Sequence, residues 1–433
     1  MSAKNHRAIA TPVLVFASVG TLANTTESSS EGIYGASGGL VQGLIMASSK
    51  RRGFRLIRRV LIMKKTLQKI KRASLLFAVI FTSFSEGFAE KGKIVQVKFH
   101  SQALESNLLG DSPNREVSVY LPPSYEKKIK KRYPTVYLLH GNSPSESAAD
   151  FNPATRWINE VKSKTVEHDP QQGIQSIMDS LIVNGKAKEM IIVMPNGRNK
   201  YRGSHYVNSP VTGNWADHIA KDLVSFTDDN FRTIKDRNSR ALAGYSMGGR
   251  GTFILGMKYP NVYSVIYAMS GGVMNFRKLP STPKNIEEWE NVLKLKNLKG
   301  ADWRSIRTIG LSAAFSPNPK KEPFYVDFQY QLVNGKLKPV PEVQKRWQQF
   351  DPVRMVDSHK NALLKLNGFR FDCGRFDSIV LEHNRALVKK LISAGIPHEY
   401  DEYDARHGEN RNLRLEQNVL PYLSNTLKFK DSK

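Results

Sequence analysis

Short apolar runs separated by turn residues follow one another along the chain from about residue 93 onward. Eight runs have the length and the β-branched or aromatic content of strands. The four in the middle of the series are almost continuously apolar, which is typical of strands buried on both faces of a parallel sheet. The predicted strands are 94–99, 116–121, 135–139, 190–194, 240–243, 265–269, 368–372 and 398–403.

Apolar residues at helical spacing separate the later strands, and Gly or Pro residues close several of these segments. The predicted helices are 215–231, 247–259, 384–394 and 413–427. Strands alternating with helices indicate an α/β architecture with a mainly parallel central sheet flanked by helices. Residues 275–363 interrupt the alternation because they are rich in Lys, Pro and Trp and carry weak strand signals. We expect this stretch to be a cap-like insertion that packs over the sheet of a domain spanning residues 90–433.

The N-terminal region has a different pattern. A basic stretch at residues 64–72 precedes an uncharged apolar run at 73–84, and Gly87-Phe88-Ala89 offers small residues before a cleavage point. This layout is typical of a secretory signal peptide, and the run is shorter than the roughly 20 residues of a membrane span. We expect residues 63–89 to be a signal peptide beginning at Met63. The protein would then be secreted or periplasmic.

Residues 1–62 would then be a non-native, disordered upstream extension. A weaker signal-like run at residues 9–23 complicates this interpretation. Two alternatives remain: a basic amphipathic segment at residues 50–62 that lies on a membrane surface, or a native disordered basic tail.

The formal net charge of +26 is large, but it does not by itself predict a nucleic-acid partner. Ten of these charges lie in residues 1–89, and no recognisable nucleic-acid module or Arg-rich patch accompanies the rest. We therefore expect no nucleic-acid partner, although an anionic envelope surface stays plausible. The single cysteine, Cys373, excludes an intramolecular disulfide and a multi-cysteine zinc site.

A candidate nucleophile lies in the sequence Gly244-Tyr-Ser-Met-Gly248, which matches G-x-S-x-G. A buried strand is predicted before it and a helix after it, which is the context that this motif needs. Such a tight turn requires glycines because neighbouring backbones crowd it, and it exposes the serine hydroxyl at the start of the helix. Ser246 is therefore the predicted nucleophile.

A nucleophilic serine needs a histidine base, and the base needs an orienting carboxylate. His407 follows the last predicted strand in a loop, whereas His359, His383 and His398 fall in the insertion, in a helix and at the start of a strand. His407 is thus the predicted base.

The acid has two candidates. Asp372 ends a predicted strand, and Asp377 lies beyond Gly374 in a loop from which its side chain can reach the histidine loop. We favour Asp377. Asp401 and Asp404 are expected to be solvated or turn residues.

The oxyanion of a tetrahedral intermediate needs two backbone donors. The amide after the nucleophile, at Met247, is the first, and the turn His140-Gly141-Asn142 after an early strand supplies the second at Asn142. His140 is expected to hydrogen-bond this loop into shape rather than to act as a base.

These motifs resemble the "putative esterase" family of the esterase D type within the α/β hydrolases. The resemblance covers about residues 95–427 and rests on the serine motif and five further segments. These segments are Tyr137–Gly141, Val193–Gly197, Asp229–Thr233, Asp372–Asp377 and the loop of His407. Relatives include S-formylglutathione hydrolases, feruloyl and acetylxylan esterases, enterochelin esterases and mycolyltransferase antigens.

The resemblance implies an α/β-hydrolase fold with Ser246 as nucleophile, Asp377 as acid and His407 as base. Many relatives have Gly-Gly-His-x-Trp at the base, where this chain has Ala405-Arg-His-Gly-Glu409. Arg406 so close to the base could favour the neutral imidazole or bind an anionic substrate.

The sequence thus predicts a serine esterase that cleaves a small-molecule, carbohydrate or lipid carboxylic ester through an acyl-enzyme, with no metal or cofactor. Two alternatives stay open. The same triad could transfer the acyl group to a sugar or lipid hydroxyl, or a hydrolase-like scaffold could bind a glycan or lipid without catalysis.

Overall fold

The computed structural model describes residues 90–142, 161–162, 170–171, 173–272 and 283–430 of the chain. The predicted signal peptide and upstream extension, residues 1–89, lie outside the described residues.

A central sheet of eight strands organises the described residues, and each strand overlaps one of the eight predicted strands. The strands are β1 (Lys93–His100), β2 (Asn114–Leu121), β3 (Thr135–Leu139), β4 (Ile191–Pro195), β5 (Arg240–Tyr245), β6 (Val265–Met269), β7 (Gly368–Gly374) and β8 (Glu399–Tyr403). Their order is β1-β2-β4-β3-β5-β6-β7-β8. Strands β3 to β8 are parallel, and β1 and β2 join through antiparallel pairs. The predicted α/β-hydrolase architecture is confirmed.

The carboxyl ends of the central strands are in register. Leu139 of β3 pairs with Gly244 of β5, and Met269 of β6 pairs with both Tyr245 and Asp372. The loops that follow these strands therefore leave the sheet at one edge, where ligands of open α/β sheets usually bind.

Helices cover both faces of the sheet. The longer ones are α1 (Ile174–Val183), α2 (Leu223–Asn230), α3 (Met247–Lys258), α4 (Pro283–Lys294), α5 (Trp303–Phe315), α6 (Pro341–Gln348), α7 (Pro352–Ser358), α8 (Lys360–Leu364), α9 (Leu381–Ala394) and α10 (Leu420–Thr426). Short helical turns at Trp215–Asp217 and His218–Asp222 lead into α2, and turns at Arg411–Arg414 and Leu415–Val419 lead into α10. No helix within the described ranges is both long and apolar enough to cross a membrane.

Alternating side chains of the strands divide the core into two layers. Tyr137 and Leu139 of β3 pack on the side of α3, whereas Val136 and Leu138 pack on the side of α1 and α10. This two-sided burial explains why the central strands are apolar at nearly every position.

The segment that follows β6 contributes to two parts of the molecule. Ile309 and Ala313 of α5 form a separate apolar cluster with Tyr201 and Val211. Other residues of α5, including Phe315, belong to the core layer that contains α3, to which helices α6 to α8 add Trp347 and Leu363. Helix α5 therefore packs on both clusters, whereas the second part of the segment completes the main core.

Trp347 ties these two parts together. It is 1% exposed, its indole nitrogen donates to Ser316 Oγ at 2.7 Å, and its ring contacts Phe315 at the end of α5. Replacing it by alanine would open a large cavity in a packed layer.

We therefore predict that Trp347→Ala lowers the free energy of unfolding by about 3–5 kcal/mol in urea denaturation. The control is Ile392→Ala in α9, where the side chain is 67% exposed and the expected change is within about 0.5 kcal/mol. Equal losses in the two variants would contradict this assignment of the core.

Candidate active site

Ser246 occupies a strained turn between β5 and α3. Its backbone angles are φ 56° and ψ −111°, which residues with a side chain rarely adopt. Such a conformation costs on the order of 1–3 kcal/mol and persists only when its surroundings enforce it. The turn joins a strand to a helix, as the sequence motif predicted, and it places the serine at the carboxyl edge of the sheet.

Two glycines make this turn possible. A Cβ added to Gly244 would lie 2.5 Å from the backbone of Gly248, and a Cβ added to Gly248 would lie 2.1 Å from the Leu139 carbonyl oxygen. Because these contacts are with backbone atoms, no side-chain rotation could relieve them. The approach of helix α3 to strands β3 and β5 therefore requires glycine at both positions.

The structure brings Ser246, His407 and Asp377 into one hydrogen-bonded row. Ser246 Oγ lies 2.9 Å from His407 Nε2, and His407 Nδ1 lies 2.7 Å from Asp377 Oδ2. A proton on Nδ1 donated to the carboxylate leaves Nε2 able to accept the serine proton. The side chain of His407 is 22% exposed and that of Asp377 is fully buried, so solvent reaches the imidazole but not the carboxylate.

The loop after β7 holds Asp377 in place. Its Oδ1 accepts from the amides of Ile379 and Val380 at 3.0 and 3.3 Å. The preceding amide of Phe376 donates to the Ala405 carbonyl at 3.1 Å, which joins the loop of Asp377 to the loop of His407. The carboxylate is therefore oriented by backbone contacts on one side and by His407 on the other.

Cys373 is buried in β7, and its Sγ lies 3.9 Å from Asp377 Oδ2. Burial raises the pKa of the Cys373 thiol well above its ordinary value, so the thiol stays neutral beside the acid.

Asp372, the other acid candidate, belongs to a different network. Its Oδ2 accepts from Tyr267 Oη at 2.9 Å and from Arg414 Nε and Nη2 at 3.0 and 2.9 Å. The same guanidinium reaches Asp401 at 2.7 Å. Asp372 is fully buried and anchors the helical turns that lead into α10, which gives it a structural role.

The other histidines weighed in the sequence analysis have local partners among the described residues. His359 contacts the Met355 carbonyl at 3.0 Å, His383 contacts Asp351 at 3.2 Å, and His398 contacts the Ile396 carbonyl at 2.9 Å. His140 Nε2 accepts from the Gly197 amide at 2.9 Å, which connects the loops after β3 and β4. This contact is the loop-shaping role expected for His140.

A cavity of about 230 Å³ opens beside Ser246 and His407. Asn142 and Met247, the predicted oxyanion residues, also line it. A Cβ added to Gly203 would lie 2.8 Å from Asn142 Oδ1 and 2.7 Å from Met247 Sδ, so the two residues flank the same point of the wall. Four of the five predicted site residues therefore line one cavity, and the fifth, Asp377, is fully buried and in contact with His407.

Eight further residues that the sequence analysis did not assign to the site line this cavity, and four of them have polar or aromatic side chains: His205, Arg250, Trp303 and Arg307. Arg250 is 5% exposed, and its Nη2 lies 3.5 Å from His205 Nδ1. Burial and the nearby charge of Arg307 lower the pKa of Arg250 to about 10, which leaves it protonated at neutral pH. Burial also lowers the pKa of His205 well below its ordinary value, so this imidazole is neutral.

One sequence signal pointed to Arg250: it follows Ser246 by four residues and so lies on the same helix face. No comparable signal marks His205 or Arg307, because distant segments bring them to the cavity. Arg406, the basic residue noted beside the base, is exposed and is not among the described residues that line the cavity.

The network around Asp372 yields a stability prediction. Asp372→Asn leaves the buried Arg414 without its main counter-charge, so the free energy of unfolding should fall by about 3–5 kcal/mol. Chemical denaturation measures the change. The matched control, Asp401→Asn, alters a half-exposed partner of the same arginine and should cost no more than about 1 kcal/mol. Similar losses in both variants would contradict the structural role of Asp372.

Comparison with known proteins identifies the family. The family model described as "Putative esterase" matches residues 111–411. An endo-1,4-beta-xylanase/feruloyl esterase of Xylanibacter ruminicola is 31% identical over 185 residues, which are 42% of this chain and 22% of that protein. Esterase Rv1288 of Mycobacterium tuberculosis is 26% identical over 341 residues, which are 76% of this chain and 60% of that protein.

The chain thus spans less than two thirds of the length of each of these relatives. A solved structure of a ferulic acid esterase superposes with a TM-score of 0.52 at 22% identity, covering 78% of this chain and 100% of the other, which supports the fold. The family that the motifs indicated is confirmed: the chain belongs to the putative esterases.

Proposed function

We propose that this protein is a serine esterase that hydrolyses carboxylic esters through an acyl-enzyme. The observation that carries the proposal is the row Ser246–His407–Asp377 beside a cavity at the carboxyl edge of the sheet. Membership in the esterase family supports the reaction type.

The reaction begins when Ser246 Oγ attacks the ester carbonyl carbon and its proton moves to His407 Nε2. The carbonyl oxygen gains the negative charge and is stabilised by the backbone amides of Asn142 and Met247. Collapse of this intermediate breaks the bond to the alcohol oxygen, which leaves with the proton from His407. The acyl group stays on Ser246 Oγ.

Water completes the cycle. It attacks the acyl carbonyl while His407 Nε2 takes one of its protons, and the second tetrahedral intermediate then releases the acid as Ser246 recovers its proton. Asp377 keeps the Nδ1–H tautomer of His407 and stabilises the imidazolium formed in each half-reaction. Its carboxylate is buried and accepts hydrogen bonds from two backbone amides, which suits this role because these bonds keep it facing the imidazole.

The substrate is proposed to be a small carboxylic ester, since the cavity of about 230 Å³ suits a short group or a single ring. The names of two relatives, a feruloyl esterase and a ferulic acid esterase, support including aromatic acyl groups among the candidates.

We also propose that the enzyme acts outside the cytoplasm, secreted or in a periplasm, after removal of a signal peptide at residues 63–89. The basic, apolar and small-residue sections of that segment support this location.

Replacement of Ser246 tests the mechanism. Wild-type protein should hydrolyse esters from a panel of aryl, feruloyl and acetylated carbohydrate substrates, and Ser246→Ala should lower kcat by about 10⁴-fold or more. Continuous assay of acid release measures this. Ser225→Ala, the same change at an exposed serine of α2, should retain wild-type rates.

Hydrolysis by Ser246→Ala at the wild-type rate would contradict the mechanism. The absence of turnover of every ester by the wild-type protein would favour a binding role, and formation of new esters only when alcohols are added would favour acyl transfer.

Cleavage of the proposed signal peptide can be tested by expression. Expression of the full chain in a secreting host should yield an extracytoplasmic protein whose N-terminus is Glu90, because Gly87 and Ala89 suit signal peptidase. N-terminal sequencing provides the measurement. A mature protein that retains residues 1–62 would contradict the proposed signal peptide.

A further inference from the structure

One wall of the active-site cavity carries hydrogen-bond donors that have no partner in the part of the chain that the structure describes. Arg250 Nε and Nη1, His205 Nε2 and Arg307 Nε are all buried, and none has a hydrogen-bond partner among the described residues. Buried polar atoms of this kind are rare in folded proteins, and each calls for an explanation. These four atoms belong to three residues that line the same cavity.

The four atoms that lack a partner among the described residues are all hydrogen-bond donors. A guanidinium only donates hydrogen bonds. Where His205 Nδ1 accepts from Arg250 Nη2, the proton of the neutral imidazole lies on Nε2, which then donates as well. A ligand that satisfies the wall must therefore supply acceptors.

The charge on this wall is not balanced within the cavity. Among the described residues that line it, none is Asp or Glu. Arg307 lies 3.4 Å from Glu288, but that carboxylate also pairs with Arg304. Arg250, which is 5% exposed, has no carboxylate within ion-pair distance in the described part of the chain. An unpaired buried charge is strongly unfavourable, so an anionic ligand would remove a large penalty.

Packing alone does not explain the choice of arginine at position 250. The guanidinium carbon lies 5.2 Å from the centre of the Phe315 ring, and the His205 ring also contacts Phe315. An apolar side chain could fill that space without the cost of burying a charge. The aromatic contact instead holds the guanidinium by its face and leaves its N–H edges for a ligand.

Arg250 lies close to the reacting serine. Its backbone amide donates to the Ser246 carbonyl at 2.9 Å, one helical turn along α3, so both side chains face one cavity. A group bound to Arg250 would therefore belong to the molecule that Ser246 attacks.

We propose that Arg250, Arg307 and His205 form a carboxylate-binding subsite, and that the preferred substrates are esters that carry a carboxylate besides the bond that is cleaved. This inference rests on the proposed esterase function. The carboxylate can lie on the acyl side, as in a monoester of a dicarboxylic acid, or on the alcohol side, as in an ester of a hydroxy acid.

Two matched pairs of substrates test the subsite. The acyl-side pair is phenyl hydrogen glutarate and phenyl methyl glutarate, and the alcohol-side pair is 4-acetoxybenzoate and its methyl ester. The neutral member of each pair has a methyl ester in place of the carboxylate, so release of the phenol is followed to count cleavage of the shared aryl ester bond alone. We expect wild-type kcat/KM to favour the carboxylate member by about 30-fold or more in one pair, and that pair identifies the side.

Arg250→Gln should remove this preference, and Arg307→Gln, at a more exposed position, should reduce it in part. The ratio of kcat/KM within a pair is measured on one preparation, so a smaller fraction of folded protein does not alter it. Arg304→Gln is the matched control: it loses the same partner, Glu288, but Arg304 is not among the described residues that line the cavity, and the ratio should not change.

The outcomes separate the two proposals. Hydrolysis of the neutral esters with no preference for the carboxylate in either pair would overturn the subsite and leave the esterase intact. A preference that survives in both Arg250→Gln and Arg307→Gln would also overturn it. Hydrolysis of neither pair nor any other ester would instead overturn the proposed function.

Discussion

The site depends on the contact between three backbones at the start of helix α3. Gly248 packs against the Leu139 carbonyl of β3, Gly244 of β5 packs against Gly248, and Ser246 between them is held at a positive φ. The strained conformation of this turn persists only because the packing of the sheet and of helix α3 enforces it. The two apolar layers that pack on either side of β3 and β5 therefore hold Ser246 in position as well as stabilising the fold.

The same register that crowds the serine turn also assembles its partners. Because Met269 aligns with Tyr245 and Asp372, the loops after β5 and β7 start at one level of the sheet. The loop of Asp377 is then joined to the loop of His407 by backbone hydrogen bonds. The position of Asp377 thus follows from strand register, which explains why this residue, three positions beyond the end of β7, reaches His407 and Asp372 does not.

Much of this arrangement could be predicted from local sequence. The strands were recognisable because burial on both faces leaves uninterrupted apolar runs such as 190–194, and the serine turn was recognisable from its glycines. Residues whose role depends on distant contacts were not recognisable. Arg307 reaches the cavity only because α5 folds over the sheet edge, and Trp347 joins the main core although its surroundings in sequence are polar. The net charge of the whole chain gave no information about the charge of the site, since the charged residues that line the cavity are Arg250 and Arg307.

The most direct test of the account is to identify the residue that reacts with a fluorophosphonate, which traps an activated serine as a covalent adduct. Peptide mapping by mass spectrometry after labelling of the folded protein should find one adduct, on Ser246, and prior unfolding should abolish it. An adduct on another serine, or labelling that persists after unfolding, would contradict the claim that the strained turn and His407 activate Ser246.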